Sequence, residues 1–169
     1  NESSSSTVQG LKLFLANTTN WSEGITDVSA FVDSLIIYNP EKNWTEGAFN
    51  TVKNPNSPFD YGWGAYNPQT HSVEGSKIFV IKLRNEEFLK FQVTKLSGAD
   101  YTFRYAKLDG SNEVTSKVTK GNNPLIYFSL KTNAVVDVPT DYDLVFQRYS
   151  AYVSAPNDST LFQEYTVVG

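Results

Sequence analysis

A single histidine, His71, occurs in this chain, within the polar, turn-like run NPQTHSVEG. An imidazole titrates near neutral pH, so it could carry a proton or serve as one axial ligand of a haem iron. A loop histidine that is merely exposed or hydrogen-bonded explains the same residue. A hydrolytic triad would need a serine and an aspartate around it. Ser72 and Ser76 are close in sequence, but adjacency is not triad geometry, and no G-x-S-x-G elbow occurs. Glu86-Glu87 is a carboxylate pair in a hairpin turn between two strands, where neighbouring side chains diverge into water, which reads as a solvated turn and not as a catalytic pair. Asp109-Gly110-Ser111-Asn112-Glu113 offers the hard oxygen donors that calcium prefers, without the ligand spacing of an EF-hand, and reads equally as Asp-Gly turn chemistry. Trp44, Trp63 and Tyr66 could form a flat platform for a sugar ring or a porphyrin, or could pin a long loop onto a sheet. The candidate ligand-binding residues are therefore His71, Trp63, Tyr66 and Trp44. No catalytic residue and no metal ligand is assigned.

The elements that must position these residues are strands. Residues 77–105 parse as three strands joined by two tight turns. Residues 78–83 are apolar on both sides apart from Lys82. From 88 to 96, Leu89, Phe91 and Val93 alternate with Lys90, Gln92 and Thr94. Tyr101, Phe103 and Tyr105 alternate with Thr102 and Arg104. The pattern predicts an antiparallel meander with one packed face and one wet face. Strands are also expected at 8–15, 31–38 (FVDSLIIY), 125–130, 142–149 and 165–168. Residues 131–133 form a turn, and 108–121 a polar loop. From 39 to 75 the regular pattern fades under repeated Asn-Pro and Gly breakers, and long irregular segments of this kind often bind. Residues 1–7 (NESSSST) read as a flexible tether ahead of a single domain at 8–169. The expected architecture is all-β: an antiparallel sandwich or barrel-like sheet of about eight to ten short strands with one long irregular segment.

Composition narrows the function. The 169 residues contain 11 Phe, 10 Tyr and 3 Trp, enough apolar surface for one self-sufficient core. A net charge of −4, with no Lys/Arg cluster, argues against a nucleic-acid partner. The absence of cysteine removes disulfides and thiolate metal sites. No apolar run approaches bilayer length. The lack of any methionine suggests a chain that begins after processing or inside a longer protein. Asn-X-Ser/Thr sequons start at Asn17, Asn20, Asn43 and Asn157 and arise easily in loops of this composition.

Two stretches carry a family likeness. The meander KIFVIKL…FLKFQV…YTFRYAKLDGSNEVT and the run LIYFSLKTNAVVDVPTDYDLVFQRY, with FDYGWGAYNPQTHSVEGSKIF between 59 and 79, resemble the HmuY-like family of secreted Bacteroidetes proteins. The likeness covers roughly residues 44–168 and extends to HmuY-type domains of large flavobacterial surface proteins. It implies a non-catalytic, secreted or cell-surface bacterial domain, outer-membrane associated, with haem as the family's known ligand. The family holds haem iron between two axial ligands, His–His or Met–Met. This chain has one His and no Met, so neither pair can be built from one copy. Its YFSL-type segment also follows the meander, whereas relatives place it before, as expected of part of a longer or tandem protein. The implied role is thus a structural or interaction module without a resident cofactor, working beside other surface-protein domains. A haem-binding haemophore and a carbohydrate-binding module are the alternatives.

Overall fold

The computed structural model describes residues 11–39, 46–122 and 125–137 in full, and the backbone of 146–151 and 163–168. Among the described residues eleven strands follow one another: β1 (Lys12–Leu15), β2 (Gly64–Asn67), β3 (Ser72–Gly75), β4 (Phe79–Lys82), β5 (Phe88–Ser97), β6 (Asp100–Lys107), β7 (Val114–Thr119), β8 (Tyr127–Ser129), β9 (Ala134–Val136), β10 (Phe146–Ala151) and β11 (Gln163–Val168). All pairings among them are antiparallel. The first seven strands make one open sheet; β8–β9 and β10–β11 are two-stranded. The fold is all-β and the barrel does not close.

The predicted meander is its centre. β5 pairs along its length with β6, which pairs in turn with β7. On its other side β5 meets two strands laid end to end. Residues 72–74 face 97–95, and residues 79–82 face 91–88. β3 and β4 are thus one strand interrupted at 75–78, four residues standing against the three at 92–94 of β5. β2 extends the sheet outward from β3, and β1 from β4. The β5–β6 register also slips once. Val93 pairs with Phe103 and Lys95 with Thr102, so Thr94 is an extra residue, and its hydroxyl donates to the Thr102 carbonyl (3.1 Å). The turn between β5 and β6 places Gly98 at φ 59°, the positive value that a two-residue hairpin turn needs at its first position.

The expected wet face is covered. Lys90 is only 1% exposed and Gln92 is buried. Residues 16–25 cross this face as a strap, with Trp21 at its centre. The Lys90 ammonium donates to the Trp21 carbonyl oxygen (2.6 Å) and lies 4.7 Å from the centre of the Trp21 ring system. The Arg104 guanidinium sits 4.2 Å from the same ring and donates twice to Gln92 Oε1 (3.0 and 2.7 Å). Alternation correctly separates the two faces, but polar side chains can be buried when their donors find acceptors, as here.

The segment 31–38 is a correction of another kind. It forms no strand but contains a single 3-10 turn, Asp33–Leu35. One backbone bond, Ile37 N to Leu13 O (2.8 Å), ties it to β1 instead of a ladder. Ile36 packs with Phe14 and Val80 on the strap side while Ile37 packs with Leu13 and Phe79 on the other. The segment wraps the edge of β1, which explains apolar residues that fit neither a helix nor a strand. Strands β2, β3 and β7 arise where the sequence predicted irregular loops. Residues 8–10 of the first expected strand, 142–145 of another and the 1–7 lead lie outside the described residues.

Gly75 sits at the interruption, where a Cβ would lie 1.9 Å from the Val93 carbonyl oxygen. Gly75→Ala is therefore expected to cost about 2 kcal/mol or more, by forcing β3 away from β5. Gly98→Ala, with no atom within 4 Å of the added methyl, should cost only about 1 kcal/mol for its positive φ. Urea midpoints of the two variants make the comparison, and equal losses would remove the close approach as the cause.

Candidate functional site

The face of the sheet opposite the strap carries Ile81 from β4, Phe91, Val93 and Leu96 from β5, Phe103 from β6 and Val118 from β7, on one side by strand alternation, with the extra residue Thr94 bringing Leu96 back to the side of Val93. Two walls rise from it. One is the segment 46–63, anchored by Phe49, whose ring meets Phe79 edge-on at 4.8 Å and stacks on Phe91 at 5.5 Å. The other is the β8–β9 hairpin. Phe128 stands edge-on to Phe103 at 4.9 Å, and Phe103 stacks on Phe91 at 5.5 Å. Tyr105 fixes that hairpin's turn. Its hydroxyl donates to the Leu130 carbonyl oxygen (3.0 Å), with Asn133 Oδ1 3.2 Å away, and burial holds its ionisation above the ordinary range. Between the walls lies a cleft of about 970 Å³ with an apolar floor, at the upper end of the size range of small-molecule sites.

Asp60 shapes the first wall. Its carboxylate accepts from the backbone N–H of Asn54 (2.9 Å) and of Gly62 (2.7 Å), with the Lys77 ammonium 3.8 Å away. Lys77 in turn donates to the Val52 carbonyl (2.6 Å). Burial alone would raise the Asp60 pKa; the two N–H donors and Lys77 outweigh it and leave the carboxyl below its ordinary value of 3.8. At the rim, Lys53 pairs with Glu46.

The four residues singled out from the sequence do not converge. Trp63 is 6% exposed and belongs to the core, yet it also lines the base of the cleft, and its carbonyl accepts from Ser76 N (3.0 Å) at the strand interruption. Tyr66 and His71 meet at the β2–β3 hairpin, Tyr66 Oη 2.9 Å from His71 Nδ1. His71 is exposed, ends the turn at φ 52°, and is not among the residues lining the cleft. Trp44 lies outside the described residues. Ser72 is engaged by Thr70 (2.7 Å) and Glu74 (2.8 Å), not by His71. Asp109 accepts from the backbone and hydroxyl of Ser111 as a closed turn, and Glu113 accepts from the Trp21 indole (2.8 Å). Glu86 pairs with Lys82 and Glu87 accepts from Asn85, both exposed at their turn. Among the described residues no group of three metal-ligating side chains gathers, and no helix is long and apolar enough to cross a membrane. No protein-family model, curated protein or solved structure matches this chain.

Of the cleft, sequence reasoning singled out Trp63 and the irregular segment 39–75 but not the arrangement as a whole. Its floor was visible as the apolar set of the meander, but its walls come from two segments, 46–63 and the β8–β9 hairpin, with most of the sheet between them in the chain. The nearest sequence signal is the run of aromatic residues between Phe49 and Tyr66 in a segment without regular pattern.

Because the folded-state pKa of Asp60 is depressed, its contribution to stability is present above the unfolded value near 3.8 and is lost as pH falls through the lower folded value. Asp60→Asn should therefore cost about 1–2 kcal/mol at pH 7. Native and variant should converge in acid, measured as urea unfolding from pH 7 to below 3.8. A gap that stays constant across that range would show that Asp60 acts by shape and not by charge.

Proposed function

We propose that this chain is a non-catalytic binding domain that works through the cleft between the segment 46–63 and the β8–β9 hairpin, as an interaction module of a secreted or cell-surface protein. The observation that carries this reading is the cleft: an apolar floor held open by two walls whose aromatic anchors are locked into the sheet. A concavity of this size with an apolar lining is the usual form of a small-molecule binding site. The resemblance to HmuY-like surface proteins supports the extracellular setting and a role in holding something rather than transforming it. The engaged state of Ser72 and the Tyr66 partner of His71 favour binding over hydrolysis.

A neutral solvatochromic dye, Nile red, tests the reading. Its emission should rise saturably at one equivalent with the native protein. Leu96→Trp, which places an indole in the cleft from a partly buried position, should abolish the rise while the near-ultraviolet circular dichroism stays native. Dye binding unchanged by Leu96→Trp, or no saturable binding at all, would count against the cleft as the binding site.

Haem through His71 gains no support from the geometry, since that imidazole stands outside the cleft beside Tyr66. Haem titration followed in the Soret region is expected to give the same response in the native protein and in His71→Ala. A band lost in the variant would restore the haemophore reading. A carbohydrate role keeps one observation in its favour: Phe59 and Tyr61 are 49% and 42% exposed, with ring centres 6.2 and 6.4 Å from that of Tyr66. Trp63 is no part of such a platform.

A further inference from the structure

The charges around the cleft are not evenly matched. Glu46 is neutralised by Lys53, and Asp60 by Lys77 and two backbone donors. One cation remains. Lys120 lines the cleft, is exposed, and its ammonium makes no hydrogen bond or ion pair among the described residues. Its backbone N–H donates to the Ala99 carbonyl (2.7 Å), which fixes the residue just past the end of β7. Counting on by the strand alternation that puts Val114, Ser116 and Val118 on the cleft face, position 120 falls on that face as well.

Shape adds a second constraint. The floor runs from Ile81 on β4, across Phe91 and Val93 on β5 and Phe103 on β6, to Val118 on β7. Four adjacent strands spaced about 4.8 Å apart give a trough roughly 14 Å long. Lys120 stands at the β7 end, and the floor between is hydrocarbon and aromatic. A ligand matched to this trough is elongated, apolar along its body and anionic at one end. An ammonium at the edge of a low-dielectric floor favours such an anion more strongly than one in open water, because the apolar walls reduce screening.

Accepting the cleft as the binding site, as proposed above, we infer that it takes a long-chain carboxylate of the fatty-acid class, with the chain laid across β4–β7 and the carboxylate on Lys120. The unpaired lysine decides the head group; the aromatic floor decides the tail.

The test uses cis-parinaric acid and its methyl ester, which share one tail and differ in charge. Polyene fluorescence and energy transfer from tryptophan report binding. The acid should bind the native protein at one equivalent and about tenfold tighter than the ester, the factor expected for one hydrogen bond to a charged group. Lys120→Glu should remove that preference, and Lys120→Arg should retain it. Because the Lys120 side chain has no partner to lose among the described residues, both variants should keep the native unfolding midpoint. Equal affinities for acid and ester, or an acid affinity unchanged in Lys120→Glu, would overturn the inference while leaving the cleft a binding site. Nile red binding without binding of either polyene would overturn it in the same way. Failure of all three probes would overturn the cleft reading, and this inference with it.

Discussion

A run of five phenylalanine rings crosses the middle of the molecule, and both cleft walls hang from it. Phe79 meets Phe49, Phe49 meets Phe91, Phe91 meets Phe103 and Phe103 meets Phe128, each at 4.8–5.5 Å between ring centres. The contacts at the two ends are edge-on and those between are stacked, both geometries in which aromatic quadrupoles attract. Phe79, Phe91 and Phe103 belong to the sheet. Phe49 and Phe128 tie to it the segment 46–63 on one side and the β8–β9 hairpin on the other. The separation between the walls is thus set by the width of β4 to β6, a rigid quantity, and the space left over is the cleft. A binding surface built from irregular segments gains its definition from the strands beneath.

On the opposite face the problem is electrostatic. An ammonium with almost no access to solvent is costly unless its donors are met. Lys90 meets the Trp21 carbonyl at 2.6 Å and the Glu23 carbonyl at 3.4 Å, and the indole lies beneath it. The Glu113 carboxylate beside this cluster is engaged by the Trp21 indole and faces Arg104 at 3.8 Å. Carbonyl dipoles and a ring quadrupole thus do for Lys90 what an anion does elsewhere. The arrangement gives the strap a single position, because shifting Trp21 would strip partners from Lys90 and Arg104 together. One polar cluster thereby specifies where a segment without secondary structure lies.

How much of this the sequence disclosed depends on the kind of signal each part carries. Local alternation in 88–105 marked out the meander, its turns and the division of its faces, because period-two patterning reflects the backbone directly. β7 was overlooked because its inward positions are Val114, Ser116 and Val118, only two of them apolar, so its pairing with β6 outweighs its propensity. The β2–β3 hairpin was hidden by Gly64 and Gly75, chosen for close approach and not for strand propensity. Among the proposed site residues, the pairing of Tyr66 with His71 follows from hairpin geometry that no pattern announced, and Trp63 proved to be core. Contacts across the cleft were illegible for a simple reason: they join side chains far apart along the chain, and nothing in one segment encodes the other.

The strap has a consequence for how the chain is made. Trp21 closes on Lys90, 69 residues later, and on Glu113, 92 residues later. β1 likewise waits for β4. As the chain emerges from a ribosome, its first third has no surface to settle on until β5 and β6 have followed and paired. Contacts of such long sequence separation are closed late and slowly. During that interval Phe14, Trp21, Ile25 and Ile36 are bare, and the N-terminal part of this domain depends on whatever accompanies it through synthesis to stay apart from its neighbours.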